Sequence, residues 1–345
     1  MKNLFFIFLF FVFGCTSIPK KENRQIERSF YYWKTSFQLS HYEKQLLIDL
    51  QIKNLYVKFF DVAWDKAATN QAYPVAQLYF RDSGYLSKST FNIVPTIFIT
   101  NESIDKTDST ALPTLAKNIA QLTKQIIKNN NLKNISEIQI DCDWTRATAS
   151  KYFYLLQLLQ QLQPTIQLSA TIRLHQVKFA NKTGVPPVKK GMLMCYNMGN
   201  LTDVNTNNSI IDLPTQQSYM ATLKNYPLPL DVALPIFEWL VLFRNGKYYG
   251  LLQQFDFAKL NGTIAEKNTN SYTILKDTII SNYIFKKGDV LRYEESTYKT
   301  ILASVKLIAT KLANKNCAIS LYHLDTLTLK KFTAHELENI YNSMY

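Results

Sequence analysis

From residue 30 onward, short runs of aliphatic, β-branched and aromatic residues alternate with longer helical or polar stretches. The short runs are Phe30–Trp33, Leu55–Val62, Asn92–Thr100, Glu137–Asp143, Ile166–Leu174, Met192–Asn197, Asp231–Trp239 and Ala318–Leu324. They read as eight strands. Helical patterns lie between them at Glu43–Gln51, Leu115–Asn129, Tyr152–Leu162, Gln216–Lys224, Tyr298–Ala313 and His335–Met344. In one of these, Leu115, Ile119, Leu122 and Ile126 recur at the spacing of a helix lying on a sheet. Strands that alternate with helices pair in parallel through right-handed crossovers. Eight such units in one chain predict a single α/β domain, a (β/α)8 TIM barrel. The competing architecture is a doubly wound open sheet, but no glycine-rich phosphate loop follows the first strand.

The predicted units are uneven. The stretches after strands two and five contain poor helices, and His175–Lys190 reads as a long loop. Strands seven and eight are separated by the long segment Leu240–Asn316, read as an insertion over the barrel mouth rather than a second domain. Loops at that face are where barrels bind ligands.

The N-terminus has a different pattern. Met1-Lys2-Asn3 precedes an uncharged run from Leu4 to Phe13, too short to span a bilayer and typical of a secretory signal. Gly14-Cys15 supplies the junction of a bacterial lipoprotein signal; the alternative is an ordinary cleaved signal with a chance cysteine. The expected organisation is a signal over 1–14, lipidated Cys15 with a polar tether over 15–28, and a barrel domain over 29–345. No acidic cluster follows Cys15. The expected location is therefore the bacterial cell envelope, lipid-anchored, on the periplasm-facing outer membrane.

Composition adds three limits. Lys+Arg number 39 against 26 Asp+Glu, a formal net charge of +13. The charge is spread along the chain with no arginine-rich tract, which argues against nucleic acid and fits a surface near anionic lipid or an acidic polymer. Cys142, Cys195 and Cys317 lie in apolar runs without metal-ligand spacing and read as buried free thiols. Nothing calls for a cofactor.

In a barrel, the polar residues that do chemistry sit at the C-terminal strand ends. These ends carry Asp61, Asp141, Asp143, Arg173, His175, Tyr196, Asn197, Glu238, Trp239 and His323. Along strand four, alternation places Gln139, Asp141, Asp143 and Thr145 on one face and Ile138, Ile140, Cys142 and Trp144 on the other. The apolar set suits the helix layer, so both aspartates point inward. Two such carboxylates repel, and one pKa rises unless Lys58 or Arg173 lies between them. The alternative is a buried ion pair that only fixes barrel geometry.

Ile138-Gln139-Ile140-Asp141-Cys142-Asp143 resembles the fourth-strand signature of glycoside hydrolase family 18, the chitinase-like barrels, whose acids alternate as D-x-D-x-E. Met194-Cys195-Tyr196-Asn197 resembles the sixth-strand M-x-Y-D of that family, with Asn197 in place of the aspartate. Leu55–Val62 and Thr171–His175 resemble bacterial lipoproteins related to those barrels, a likeness that covers most of the chain and implies no particular activity. The resemblance implies that Asp141 and Asp143 orient the reacting sugar and stabilise its charge, and that Tyr196 hydrogen-bonds the substrate. Thr145 stands where the family has its proton-donating glutamate, and threonine cannot donate at neutral pH.

Glu238 is the best substitute acid, followed by Trp239 as a sugar platform. A carboxyl separation of about 5 Å from Asp143 would suit a retaining pair, and roughly 6.5–9.5 Å an inverting one. Alternatively Glu238 pairs with Arg173 or Lys58. Asp61, Arg173, His175, Tyr196, Asn197, Trp239 and His323 are candidate substrate contacts. His175 and His323 with Asp141, Asp143 and Asp325 form an alternative metal set, but no close His-x-His spacing supports it. Trp33, Trp64 and Trp144 also lie near strand ends, where tryptophans stack on sugars or pack under loops. No nucleophile-elbow pattern surrounds a serine. Three readings follow: a glycoside hydrolase on an envelope or environmental glycan, a glycan-binding barrel without catalysis, or an envelope scaffold that binds protein.

Overall fold

The computed structural model describes residues 24–67, 69–253 and 255–344. The signal, Cys15 and the first part of the tether lie outside these residues. Eight parallel strands form the central barrel: β1 (Gln25–Tyr32), β2 (Asn54–Trp64), β3 (Asn92–Ile99), β4 (Glu137–Asp141), β5 (Gln167–Arg173), β6 (Lys190–Met194), β7 (Leu230–Pro235) and β8 (Asn316–Tyr322). A ninth strand of the same sheet, Ala72–Val75, pairs antiparallel with the end of β2. Each of the eight pairs in parallel with the next. The ring closes where Gln25–Phe30 of β1 lie opposite Asn316–Leu321 of β8. The sheet is therefore a closed barrel with helices between its strands, as the alternation predicts. β1 starts at Gln25 rather than Phe30, so Gln25–Arg28 at the end of the expected tether belong to the barrel.

Helices form where periodic apolar faces meet good caps. The helix His41–Asp49 opens on a capping box of Ser40 and Glu43, and Ala334–Asn342 on one of Thr333 and Glu336. Leu112–Asn129 and Ala149–Leu162 cover strands β3 to β5 on their outer side with Leu115, Ile119, Leu155 and Leu159. From β4, Ile138, Ile140, Cys142 and Trp144 pack into this outer layer, and the Trp144 ring stacks on Tyr152 at 5.2 Å. A separate inner cluster holds Tyr31, Tyr56, Val94, Met192 and Met194. The split of β4 into two faces is the one that its alternation predicts. The segment after β5, read as a loop, contains two short helices, Leu174–Lys178 and Ala180–Thr183.

The lower lumen holds a network of paired polar groups, beside which the Tyr56 and Ser320 hydroxyls find no partner among the described residues. Lys190 lies 2.8 Å from Glu137 and 2.7 Å from Asp231, and Ser169 donates to Glu137 at 2.6 Å. The Tyr31 hydroxyl donates to Gln139 at 2.5 Å. Beside them, Asn92 donates to Asn54 and Asn54 to Glu27. Buried polar groups tolerate burial only when partnered in this way.

Two local departures decide where the mouth residues point. In β2 the register slips between Lys58 and Phe60 against β3, so one extra residue is accommodated there. This bulge sends both Phe59 and Phe60 to the outer cluster and turns both Lys58 and Asp61 into the barrel, which strict alternation would forbid. The run Asp231–Trp239 is not one strand. β7 ends at Pro235, and Glu238–Arg244 begins a five-stranded antiparallel sheet with Lys247–Gln253, Ala265–Lys267, Ser271–Ile274 and Val290–Glu295. The apolar run from Val232 to Phe243 hides the junction. Proline, which lacks a ladder donor, marks it. The inserted sheet has its own core of Leu240, Leu242, Leu252, Phe285 and Leu291.

Candidate functional site

At the C-terminal ends of the strands lies a cavity of about 820 Å³. Its floor is formed by inward residues of the barrel: Lys58 and Asp61 from β2, Asp141 from β4, Arg173 from β5, Met194 from β6 and Tyr322 from β8. The loops after β4 and β6 contribute Asp143, Tyr196 and Asn197. One wall comes from the inserted sheet, through Glu238, Trp239, Gln253 and the following Phe255 and Phe257.

Four of the five carboxylates that line this cavity are matched with a cation. Asp143 accepts from Arg173 at two points, Nε to Oδ1 at 2.5 Å and Nη2 to Oδ2 at 3.0 Å. Lys58 lies 3.1 Å from Asp61, and Lys34 lies 2.8 Å from Asp325. Glu238 pairs with Lys331 and accepts from the Tyr293 hydroxyl at 2.6 Å. Asp141 differs: it is buried and accepts from the Thr171 hydroxyl at 2.6 Å. Burial pushes its carboxyl up to about 6; the Arg173 charge opposes that rise and Asp143 adds to it.

Aromatic rings fill the space between these pairs. Tyr322 meets Trp33, Tyr196 and Phe237 with ring centroids 5.8, 5.3 and 5.7 Å apart. The Arg173 guanidinium sits 5.9 Å from the Tyr196 ring, and the Lys58 ammonium 5.6 Å from that of Trp33. His323 lines the cavity with an Nδ1 that has no hydrogen-bond partner among the described residues. Burial pulls its imidazole down to about 4, so it is neutral at neutral pH.

The structure thus brings together Asp61, Asp141, Asp143, Arg173, Tyr196, Asn197, Glu238, Trp239 and His323. His175 lies in the short helix after β5, exposed and outside the cavity lining, close enough for the charges of Asp143 and Arg173 to act on its imidazole. Among the described residues no group of three or more His, Cys, Asp or Glu is placed to hold a metal ion. Glu238 does not pair with Arg173 or Lys58, because it stands on the inserted sheet and meets Lys331 from the loop beyond β8. Trp239 is buried, and its indole N–H donates to Glu294 at 2.7 Å. Glu294 also accepts from Ser209 and pairs with Arg292 at 2.7 Å, so that ring is fixed rather than open as a platform. Trp33 takes the more accessible position, whereas Trp144 packs into the helix layer. Thr145 is absent from the lining, and its N–H is held by the Thr148 hydroxyl at 2.9 Å. Lys34, Phe237, Phe257 and Lys331 carry no motif, and only the folded mouth shows them as lining residues.

No protein-family model matches the chain, and no curated protein matches it in sequence. Solved structures do match. The spore cortex-lytic enzyme SleL of Bacillus cereus superposes with a TM-score of 0.55 at 14% identity, over 91% of this chain and 76% of that one. SleL of Bacillus megaterium gives 0.56 at 12%, over 95% and 76%. A chitinase of Bacteroides thetaiotaomicron gives 0.54 at 12%, over 92% and 96%. The fold shared with these structures is a (β/α)8 TIM barrel.

Within this barrel the Asp141 carboxyl holds its proton more tightly than in the unfolded chain, where aspartate titrates near about 4. The stability it contributes is fully present below that value and is lost as pH rises through about 6. Asp141→Asn keeps an oxygen for Thr171 and removes the ionisation. Its stability relative to wild type should rise with pH by on the order of 3 kcal/mol between about pH 4 and pH 8. Urea unfolding across that range measures it, and a difference independent of pH would contradict the assignment.

Proposed function

We propose that the barrel mouth binds a glycan of the N-acetylated kind found in chitin and bacterial cortex, and does not cleave it by the strand-four route. The neighbours with this fold are named as a chitinase and as cortex-lytic enzymes, which supports the ligand class. The cavity offers what a sugar chain needs: accessible aromatic faces at Trp33 and Phe237, and charged pairs whose remaining lone pairs and N–H groups can meet hydroxyl and amide groups.

The observation that carries the non-hydrolytic reading is the state of the acids. A glycosidic oxygen must receive a proton as its bond breaks. Thr145 cannot give one, and Asp61, Asp143, Glu238 and Asp325 are each paired with a cation. Burial raises the Asp141 carboxyl, but it lies one step further down the strand and is held against Thr171. A second reading keeps Glu238 as the acid. It is favoured by the side-chain exposure of Lys331, 40%, which would let a ligand displace that cation.

We further propose that lipidated Cys15 tethers this cavity at the bacterial envelope, periplasm-facing, as its leader pattern supports. Incorporation of an alkyne palmitate in cells, lost in Cys15→Ser, is the expected result, and a wild-type chain without label removes the anchor.

For the cavity, calorimetry with chitooligosaccharides should show saturable binding, weakened about tenfold or more by Asp143→Asn through the loss of a charged hydrogen bond. The same oligosaccharides should be recovered uncut. Cleavage that disappears in Glu238→Gln would replace this reading with the hydrolytic one, and absence of binding would remove both.

A further inference from the structure

The inserted sheet carries an unpartnered hairpin whose chemistry is separate from the cavity. Its strands, Thr278–Ile280 and Tyr283–Phe285, pair only with each other. Ser281 and Asn282 between them both have positive φ, 49° and 67°, the geometry of a tight two-residue turn that twists with its strands. The turn and ladder make the hairpin a defined projection. Alternation then gives it two faces. Ile280 and Phe285 are 7% and 0% exposed and join the core of the inserted sheet. Ile279 and Ile284, direct cross-strand partners, are 70% and 59% exposed.

Tyr249 extends this face. Its ring is 59% exposed and lies 3.9 Å from the Arg244 guanidinium, which also donates to the Ile284 carbonyl at 3.0 Å. Two adjacent isoleucines and a tyrosine held on a rigid projection form a patch rather than scattered apolar residues.

The surrounding charge is basic. Lys276 precedes the hairpin, and Lys286 and Lys287 follow it. Asp277 is taken up by Lys286 at 2.8 Å, and Asp289 by Arg244 at 2.8 Å. Lys276 and Lys287 form no ion pair among the described residues, so the rim of the patch carries excess positive charge. The exposed isoleucines, with Tyr249 beside them, lie on a hairpin with lysines at both ends: Lys259 is bonded to the Ser281 turn at 3.0 Å, and Lys276 and Lys287 stand at the base. An apolar face rimmed by cations matches the acyl boundary and anionic surface of a bilayer interface.

We infer that this hairpin docks on an anionic lipid bilayer, with Ile279 and Ile284 entering the headgroup–acyl boundary and the lysines facing lipid phosphates. This contact is independent of the glycan reading and of Cys15. It would hold the inserted sheet against the membrane and fix the orientation of the cavity that the sheet borders.

The test uses the full chain with Cys15→Ser and Ile284→Cys, labelled with an environment-sensitive nitrobenzoxadiazole group. Cys142, Cys195 and Cys317 are buried, which directs the label to position 284. Vesicles of phosphatidylglycerol and phosphatidylcholine should shift its emission to the blue and expose it to nitroxide-lipid quenching, whereas phosphatidylcholine alone should not. The same label at the exposed Thr310→Cys should stay water-like. Lys276→Gln and Lys287→Gln should each lower partitioning about fivefold. Water-like emission at 284 on anionic vesicles, or equal shifts at 284 and 310, would overturn the inference. A blue shift that needs no vesicles and grows with protein concentration would also overturn it, by assigning the face to a second copy of the chain.

Discussion

A side chain that points inward from a closed barrel meets only the inward side chains of other strands. Polar groups placed there must find partners among themselves, because unpartnered burial costs several kcal/mol per charge. The charged groups of the chain follow this constraint from bottom to top, whereas Tyr56, Ser320 and His323 each keep a buried polar atom without a partner among the described residues. Glu137, Lys190 and Asp231 close the lower lumen as a network, and Tyr31 and Gln139 bridge its middle. At the mouth, Asp143 with Arg173, Asp61 with Lys58 and Asp325 with Lys34 form pairs at the edge of solvent. The same rule explains Asp141. It is inward and buried, its nearest donor is the Thr171 hydroxyl, and it relieves its burial by holding a proton more tightly.

Under the proposed function, that arrangement would separate binding from bond cleavage. The mouth combines aromatic faces with the two strand-four acids, Asp141 and Asp143. Thr145, which the sequence resemblance aligns with a proton donor, is held in a local turn with Thr148. The other mouth acids are each paired with a cation. The inserted sheet contributes at both of its ends: Glu238, Trp239 and Phe257 wall the cavity, while the hairpin around Ile279 and Ile284 meets the surroundings.

The barrel was legible because helical stretches recur between the strand runs, most regularly at Leu112–Asn129 and Tyr298–Lys311, and eight such units suit a closed parallel ring. The strand-four aspartates were legible because their neighbours Ile138, Ile140, Cys142 and Trp144 need the helix layer. Alternation failed in two places. The bulge at Phe59 reverses the facing of β2 without any glycine or proline to announce it. Between Val232 and Phe243 the apolar run continues across the end of one sheet and the start of another, so Glu238 was assigned to the wrong one. His175 falls outside the cavity lining because β5 turns directly into a helix after Arg173. Lys331 and Lys34 escaped because their partners are distant in sequence, and nothing local requires a lysine at either position.

The central claim is that the mouth holds a sugar chain among paired charges without a donor to break it. A crystal structure of the protein soaked with an N-acetylated chitooligosaccharide reads this directly. The account predicts sugar density against Trp33, Asp143–Arg173 and Tyr196, with the glycosidic bond over Asp143 continuous. An empty mouth with sugar elsewhere, or a cleaved ligand in it, would contradict the account.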